Sequence, residues 1–222
     1  MNLKSFGCSF MFGSDLADDG RDGTWARPSK LTWPALWATN QGHGYQCYAR
    51  PGAGNLQILE KVLTHAASNE HAWYVIGWTW IDRFDYIGAV NTPWTGPGPS
   101  WTTITPGHTD ETAKFYYRDL HSQYRDKLTT LSCIKLAIDI LKQKDVPFIM
   151  THMDDLIFET TWHCNPAIMD LQNYIRPYIT QFEGKTFLDW SRDKKFKISI
   201  KLHPLEAAHQ AAFEYINSQR LV

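Results

Sequence analysis

Short apolar runs alternate along the chain with stretches in which apolar residues recur every three or four positions. The apolar runs predict strands, and the longer periodic stretches predict helices. The predicted strands are residues 3–6, 45–48, 73–78, 147–153 and 186–190. The predicted helices are residues 31–39, 56–66, 110–144, 166–181 and 204–217, with the long segment broken near 125–130.

This alternation predicts an α/β fold, a three-layer α/β/α sandwich around a parallel five-stranded sheet. Residues 73–78 are Trp-Tyr-Val-Ile-Gly-Trp, a continuous apolar run typical of a parallel strand that helices cover on both faces. Asn55 is suited to cap the helix after it, and Pro204 to the first turn of the last helix. At 222 residues, we expect one domain covering 1–222.

The alternation fails in a Trp-, Pro- and Gly-rich segment at about residues 85–110. A connection this long in a compact domain suggests a lid or binding loop. Trp94 and Trp101 offer flat aromatic faces that suit stacking on sugar rings or covering an acyl chain. Aromatic anchors of a protein interface are an equal alternative.

Charge, cysteine spacing and the absence of long apolar runs bear on the partners, the thiol state and the location of the protein. The chain has 22 basic and 23 acidic side chains, a net charge of -1, and no long run of either sign, so we expect no nucleic-acid partner and no membrane. Four widely spaced cysteines predict reduced thiols. Neither a signal peptide nor a membrane span is evident, which predicts a cytoplasmic protein, or a virion-associated one.

Ser9 and His203 are the pair with catalytic potential. The first predicted strand ends in Gly7-Cys8-Ser9, which puts a serine hydroxyl at the carboxyl edge of the sheet, where α/β folds keep their chemistry. A histidine that takes the serine's proton makes it a nucleophile. His203-Pro204 opens the last helix at the same edge. Taken singly, the serine is also typical of a turn or helix cap, and the histidine of a loop.

Four sequence blocks together resemble the SGNH (GDSL-like) hydrolases, most of all a divergent phage-type branch. The blocks, in the family's order and spacing, are Gly7-Cys8-Ser9-Phe10, the Gly52 turn that ends in Asn55, Gly77-Trp78-Thr79, and His203-Pro204 with the helix after it. The resemblance spans nearly the whole chain and implies a flavodoxin-like sandwich of ester hydrolases and acyl transferases. It implies Ser9 as the nucleophile, His203 as its base, and the N–H groups of Ser9 and Gly52 as an oxyanion hole.

Two positions depart from the family's pattern. Thr79 stands where the family has an asparagine, so a hydroxyl or the amide of Asn55 would have to complete the oxyanion hole. Ile200 stands where the family has its acid, three residues before His203. A Ser-His dyad remains plausible, and four other carboxylates are candidates for the acid, with solvated loop positions as their alternative. These are Asp154, Asp155, Asp189 and Glu206.

Other constellations are weaker. Several histidines, Cys164, Asp154 and Asp155 are types of metal ligand, but none has a recognised metal spacing, so we expect neither a metal nor another cofactor. On its helix, His209 is expected at a surface or interface. Arg83, just after the third strand, suits a carboxylate or phosphate of a substrate, or an ion pair with Asp82 or Asp85.

The leading prediction is a serine esterase that acts through an acyl-enzyme on a small-molecule or carbohydrate ester, first of all an O-acetylated sugar. A catalytically impaired module that binds a glycan or a protein partner is the alternative, supported by the departures at Thr79 and Ile200. A metal-dependent phosphoester hydrolase is a third possibility, and it requires histidines to converge with Asp154 or Asp155.

Overall fold

The computed structural model of the protein describes residues 1–20, 27–68, 70–87 and 101–219. The strands in these ranges are β1 (Asn2–Phe6), β2 (Gly44–Cys47), β3 (Ala72–Trp78), β4 (Phe84–Ile87), β5 (Trp101–Ile104) and β6 (Phe148–His152). The α-helices are α1 (Ser9–Phe12), α2 (Trp33–Asn40), α3 (Asn55–Ala66), α4 (Glu111–Phe115), α5 (Gln123–Gln143), α6 (Pro166–Ile175), α7 (Phe187–Asp193) and α8 (Glu206–Ser218).

Four parallel strands form the central sheet in the order β2-β1-β3-β6. Side chains of β3 alternate between two cores, as the pleat requires. Tyr74, Ile76 and Trp78 join the core under α3, α5 and α6. Val75 joins the opposite core under α2 and α8. The predicted three-layer α/β/α sandwich is confirmed, because both faces of the sheet are covered by helices.

The fifth predicted strand, residues 186–190, is wrong. These residues begin α7, and the Thr186 hydroxyl caps that helix by accepting the N–H of Asp189 at 3.1 Å. The spacing Thr-x-x-Asp is typical of a capping box at a helix start, but the apolar residues Phe187, Leu188 and Trp190 are equally compatible with a buried strand. Within the described residues, pairing beyond β6 is one isolated parallel bridge between Met150 and Ile179, so the sheet there has four strands.

The long helical segment breaks earlier than residues 125–130. α4 continues into a π-helical turn over Tyr116–Leu120, and the chain then becomes extended at His121. Ser122 starts α5 by accepting the N–H of Arg125 at 3.3 Å. A serine cap therefore sets the break, and the apolar stripe of α5 runs without interruption.

The flanks of the predicted lid or binding loop pair with each other, while residues 88–100 between them lie outside the described residues. β4 and β5 form an antiparallel hairpin in which Phe84 faces Ile104 and Ile87 faces Trp101. Asp85 of this hairpin accepts the N–H groups of Gly54 and Gln57 at 3.0 and 2.9 Å. The hairpin is thereby attached to the N-terminus of α3, at the carboxyl edge of the sheet.

None of the helices in the described ranges has both the length and the apolarity needed to span a membrane.

Candidate active site

A sharp turn between β1 and α1 presents Ser9. Gly7 has φ +152°, and a Cβ at this position would lie 2.5 Å from Met11 Cγ and 2.9 Å from the carbonyl oxygen of Gly77. A glycine is therefore required where the chain leaves the sheet. Ser9 is the first residue of α1, and it is 7% exposed.

His203 lies across from Ser9 on a small hairpin before α8. Ile198 and Pro204 form an antiparallel bridge, and the N–H of Ser199 donates to the carbonyl of His203 at 2.8 Å. The Nε2 atom of His203 lies 2.9 Å from the Ser9 hydroxyl oxygen. The structure therefore brings together the two residues that are 194 positions apart in the sequence.

The second nitrogen of His203 is bound by an acid that sequence inspection did not propose. Asp15 Oδ2 lies 2.6 Å from His203 Nδ1, and it also accepts the Ser199 hydroxyl at 2.8 Å. Since Asp15 is an acceptor here, Nδ1 carries the proton and Nε2 presents its lone pair to Ser9. Ser9, His203 and Asp15 thus form a hydrogen-bonded chain.

Asp15 reaches His203 because α1 is only one turn long. Gly13 ends that helix in the left-handed region, with φ +81°, and Asp15 itself has φ +70°. Glu206 holds the next residues by accepting the N–H of Ala17 at 2.8 Å. The sequence signal was a carboxylate six residues after the serine, following a glycine that stops a helix. The family's pattern places the acid three residues before the histidine, so that pattern does not predict Asp15.

The four carboxylates proposed from sequence as the acid have other partners. Asp154 accepts the N–H groups of Ile81 and Leu156 at 2.9 and 3.0 Å. Asp189 accepts Arg192 at 3.0 Å and lies close to Asp155, and burial followed by the Asp189 charge raises the pKa of Asp155. Glu206 is occupied by Ala17, so in the described residues none of the four contacts the His203 ring nitrogens.

Two backbone N–H groups are available near the serine. Gly52 lies in the turn after β2 with φ +83°, and the N–H of Arg50 in the same turn donates to the carbonyl of Gly7 at 3.0 Å. This bond holds the Gly52 turn beside the turn that presents Ser9. Within the described part of the chain, the N–H groups of Ser9 and Gly52 have no acceptor.

Asn55 does not fit its predicted role as a substitute oxyanion donor. Its Nδ2 donates to the carbonyl of Thr79 at 3.1 Å and to the Thr130 hydroxyl at 3.0 Å, while its Oδ1 accepts the Thr79 N–H at 2.8 Å. The amide therefore joins α3 to the end of β3. The Thr79 hydroxyl is fully buried, and it has no partner in the described residues.

Three residues were predicted to bind substrate, and the structure describes two of them. Arg83 donates to the carbonyl of Ala53 at 2.9 Å and lies over the Trp80 ring at 4.9 Å, without an ion pair to any carboxylate in the described residues. Trp101 belongs to β5, and its carbonyl accepts Arg50 at 3.0 Å. Trp94 lies outside the described residues.

Two other histidines, His152 and His209, are buried inside the protein. His152 donates through Nδ1 to the carbonyl of Asp154 at 3.0 Å, and Gln181 lies 3.1 Å from its Nε2. His209 is 1% exposed, so its predicted surface position is wrong. In the described ranges, no three histidine, cysteine or acidic side chains are grouped so that they could hold a metal ion.

Comparison with solved structures identifies the architecture. A lipolytic protein of the G-D-S-L family from Veillonella parvula superposes with a TM-score of 0.54, at 11% identity, over 100% of both chains. This chain has the SGNH hydrolase fold. The resemblance inferred from the sequence blocks is thereby confirmed at the level of fold.

Two carbohydrate esterases share this SGNH fold. An acetyl-xylooligosaccharide esterase from Geobacillus matches with a TM-score of 0.51 and 11% identity, over 98% of this chain and 93% of the esterase. A carbohydrate esterase whose active site is described as having divergent catalytic and non-catalytic binding functions matches at 0.53 and 12%, over 100% of this chain and 68% of its own. No protein-family model matches the sequence, and no curated protein matches it.

Proposed function

We propose that the protein is a serine esterase in which Ser9, His203 and Asp15 form the catalytic triad. The observation that carries this proposal is the chain of contacts from Ser9 to His203 Nε2 at 2.9 Å and from His203 Nδ1 to Asp15 at 2.6 Å. A nucleophile joined to a base, with the base oriented by an acid, is the arrangement that activates a serine on many unrelated folds.

The proposed reaction follows from where the protons lie. His203 Nε2 takes the hydroxyl proton as Ser9 attacks the ester carbonyl carbon, and Asp15 stabilises the imidazolium that forms. His203 then gives the proton to the leaving alcohol, which leaves an acyl group on Ser9. Water, deprotonated by His203, hydrolyses the acyl-enzyme and frees Ser9.

The oxyanion is assigned to the backbone N–H groups of Ser9 and Gly52. Neither has an acceptor within the described residues, and preorganised donors of this kind stabilise the tetrahedral intermediate. Loss of one donor typically lowers turnover by roughly 10²–10³-fold. Because Asn55 is occupied and Thr79 replaces the family's asparagine, we expect a slower enzyme than one with three donors.

An O-acetylated carbohydrate is the proposed substrate class. Two supports are the half-buried Trp80 ring, which contacts Phe10 beside Ser9 at 5.6 Å, and the acetyl-xylooligosaccharide specificity of the Geobacillus protein with this fold. Aromatic rings at an opening to a serine suit the apolar faces of sugar rings.

A non-catalytic glycan-binding module is the second candidate. The side chains near the proposed oxyanion hole favour it. The Thr79 hydroxyl is buried and the Asn55 amide is already hydrogen-bonded, so neither side chain is available to stabilise an oxyanion. The carbohydrate esterase with divergent catalytic and non-catalytic binding functions sets a precedent on this fold.

Turnover of p-nitrophenyl acetate and acetate release from acetylated xylo-oligosaccharides test the esterase proposal. We expect hydrolysis by the wild-type protein and its loss in Ser9→Ala and His203→Ala. Arg118→Gln, which changes an exposed arginine paired with Asp119, is the matched control. Equal background rates in the folded wild-type and Ser9→Ala proteins would reject the esterase and favour the binding module.

A further inference from the structure

A cavity of about 180 Å³ lies at the carboxyl edge of the sheet, between the loop after β3 and the N-termini of α3 and α5. Its lining includes Asn55, Leu56, Arg83, Phe84, Arg125 and Thr130. The volume is below the range of pockets for drug-sized ligands, so it suits one small group. Arginine and threonine side chains give it hydrogen-bond donors.

A row of rings in edge-to-face contact connects this cavity to the proposed catalytic centre. The Phe10 ring lies edge-on to His203 at 5.3 Å and to Trp80 at 5.6 Å, and the Arg83 guanidinium lies 4.9 Å from the Trp80 ring. Arg83 also donates to the carbonyl of Ala53, the residue after Gly52. A molecule held at Arg83 therefore lies at the same carboxyl edge of the sheet as Ser9.

The two carboxylates that line the cavity already have partners. Asp85 accepts two backbone N–H groups at the start of α3 and the Thr103 hydroxyl at 2.5 Å. Asp126 lies 2.8 Å from Arg125 and 2.9 Å from His121. The N-terminus of α3 thus offsets the charge of Asp85, and the Arg125 guanidinium offsets that of Asp126.

Arg83 differs from Arg125 in having no carboxylate within ion-pair distance among the described residues, whereas Arg125 lies 2.8 Å from Asp126. One of its five N–H donors is used by Ala53, and the aromatic contact with Trp80 fixes the plane of the guanidinium. Asp82 precedes it beyond ion-pair distance, and burial raises the pKa of Asp82, an effect that the nearby Arg83 charge partly opposes. A half-buried planar guanidinium with unused donors matches the two oxygens of a carboxylate.

We propose that Arg83 in this cavity binds a carboxylate, and that the ester at Ser9 therefore belongs to an acidic sugar. This inference rests on the proposed function for the reaction, but the binding of the carboxylate does not depend on turnover. The site predicts selectivity for the acylated sugar acid over the same sugar with a neutral carboxamide.

Binding to Ser9→Ala tests the inference without hydrolysis. The probes are O-acetylated galacturonic acid and its carboxamide, measured by titration calorimetry. We expect Kd to be about tenfold lower for the acid, as for a partly exposed charged hydrogen bond. Adding Arg83→Gln should remove the preference, Arg83→Lys should retain part of it, and Arg118→Gln should retain all of it.

Three results would overturn the assignment. They are absence of binding of either probe, equal Kd values for both probes, and a preference that survives Arg83→Gln. A second pair, O-succinyl glucose and its succinamoyl analogue, separates a carboxylate on the acyl group from one on the sugar. A preference in this pair alone would also reject the acidic sugar. The two Kd values of each pair are measured on the same protein preparation. A smaller folded fraction would therefore not change their ratio.

Discussion

His203 and His209 lie six positions apart, and both are buried, yet their surroundings differ in kind. His203 is between a serine hydroxyl and a carboxylate, at 2.9 and 2.6 Å. His209 belongs to α8, and its Nδ1 accepts the N–H of Trp33, the first residue of α2, at 3.2 Å. Burial, followed by the charge of His203, lowers the pKa of His209 to about 3.

Both side chains are buried, so the hydrogen-bond partners of each ring are what distinguish the two histidines. His203 has the Asp15 carboxylate at one nitrogen and the Ser9 hydroxyl at the other. Asp15 can therefore balance the positive charge when the ring takes the proton of Ser9. His209 has a backbone donor and an aromatic neighbour, Phe187, at 4.9 Å, so a positive charge there would have no compensation. Its neutral form also avoids repelling the imidazolium proposed for His203.

The largest expected effect separates these two histidines by activity. His203→Ala should lower kcat for p-nitrophenyl acetate by about 10⁴–10⁶-fold, because the serine loses its base. His209→Gln keeps an acceptor for the Trp33 N–H and should retain most of the activity of folded protein. Equal losses in both variants, with folded protein verified by circular dichroism, would contradict the comparison.

A smaller loss should follow removal of the charge on Asp15. Asp15→Asn keeps the shape of the side chain but favours the wrong imidazole tautomer, so kcat should fall by about 10²–10⁴-fold. Asp189→Asn, which changes a partly exposed carboxylate among those proposed from sequence, is the control and should change kcat little. Wild-type turnover in Asp15→Asn would show that another group orients His203.

The layers, the parallel sheet and the contact between Ser9 and His203 could be predicted from the sequence, because they depend on apolar periodicity and on short motifs around these two residues. Sequence reasoning failed for Asp15, since the acid's place follows from a one-turn helix that ends at Gly13. It also failed for residues 186–190, where a capping box and a buried strand present similar apolar residues. Both failures concern local turns, which periodicity does not specify.

The stability of the protein in acid should report on His209. Its pKa is lower in the folded state than the usual 6.5, so the unfolded chain binds a proton first as the pH falls. This contribution to stability is present above pH 6.5 and is lost as the pH falls toward about 3, by about 1.4 kcal/mol per pH unit. Urea unfolding between these values should give a shallower pH dependence for His209→Gln. Identical slopes would reject a neutral buried His209.

The smallest expected effect concerns Ser199, which donates to Asp15 and accepts the N–H of His203 at 3.2 Å. Ser199→Ala removes one hydrogen bond to the acid and should lower kcat by about 3–10-fold. The conservative variant Ser199→Thr should recover part of that loss. A change in stability alone, with unchanged kcat, would make Ser199 a structural residue of the hairpin.

The most direct test of the triad is the rate at which a fluorophosphonate probe labels the protein, with the adduct located by mass spectrometry. We predict a single adduct on Ser9, which forms at least about 100-fold more slowly in Asp15→Asn. Asp189→Asn should react at the wild-type rate. The proposed triad would be contradicted by a folded wild-type protein without an adduct on Ser9, or by equal labelling rates in Asp15→Asn and the wild type.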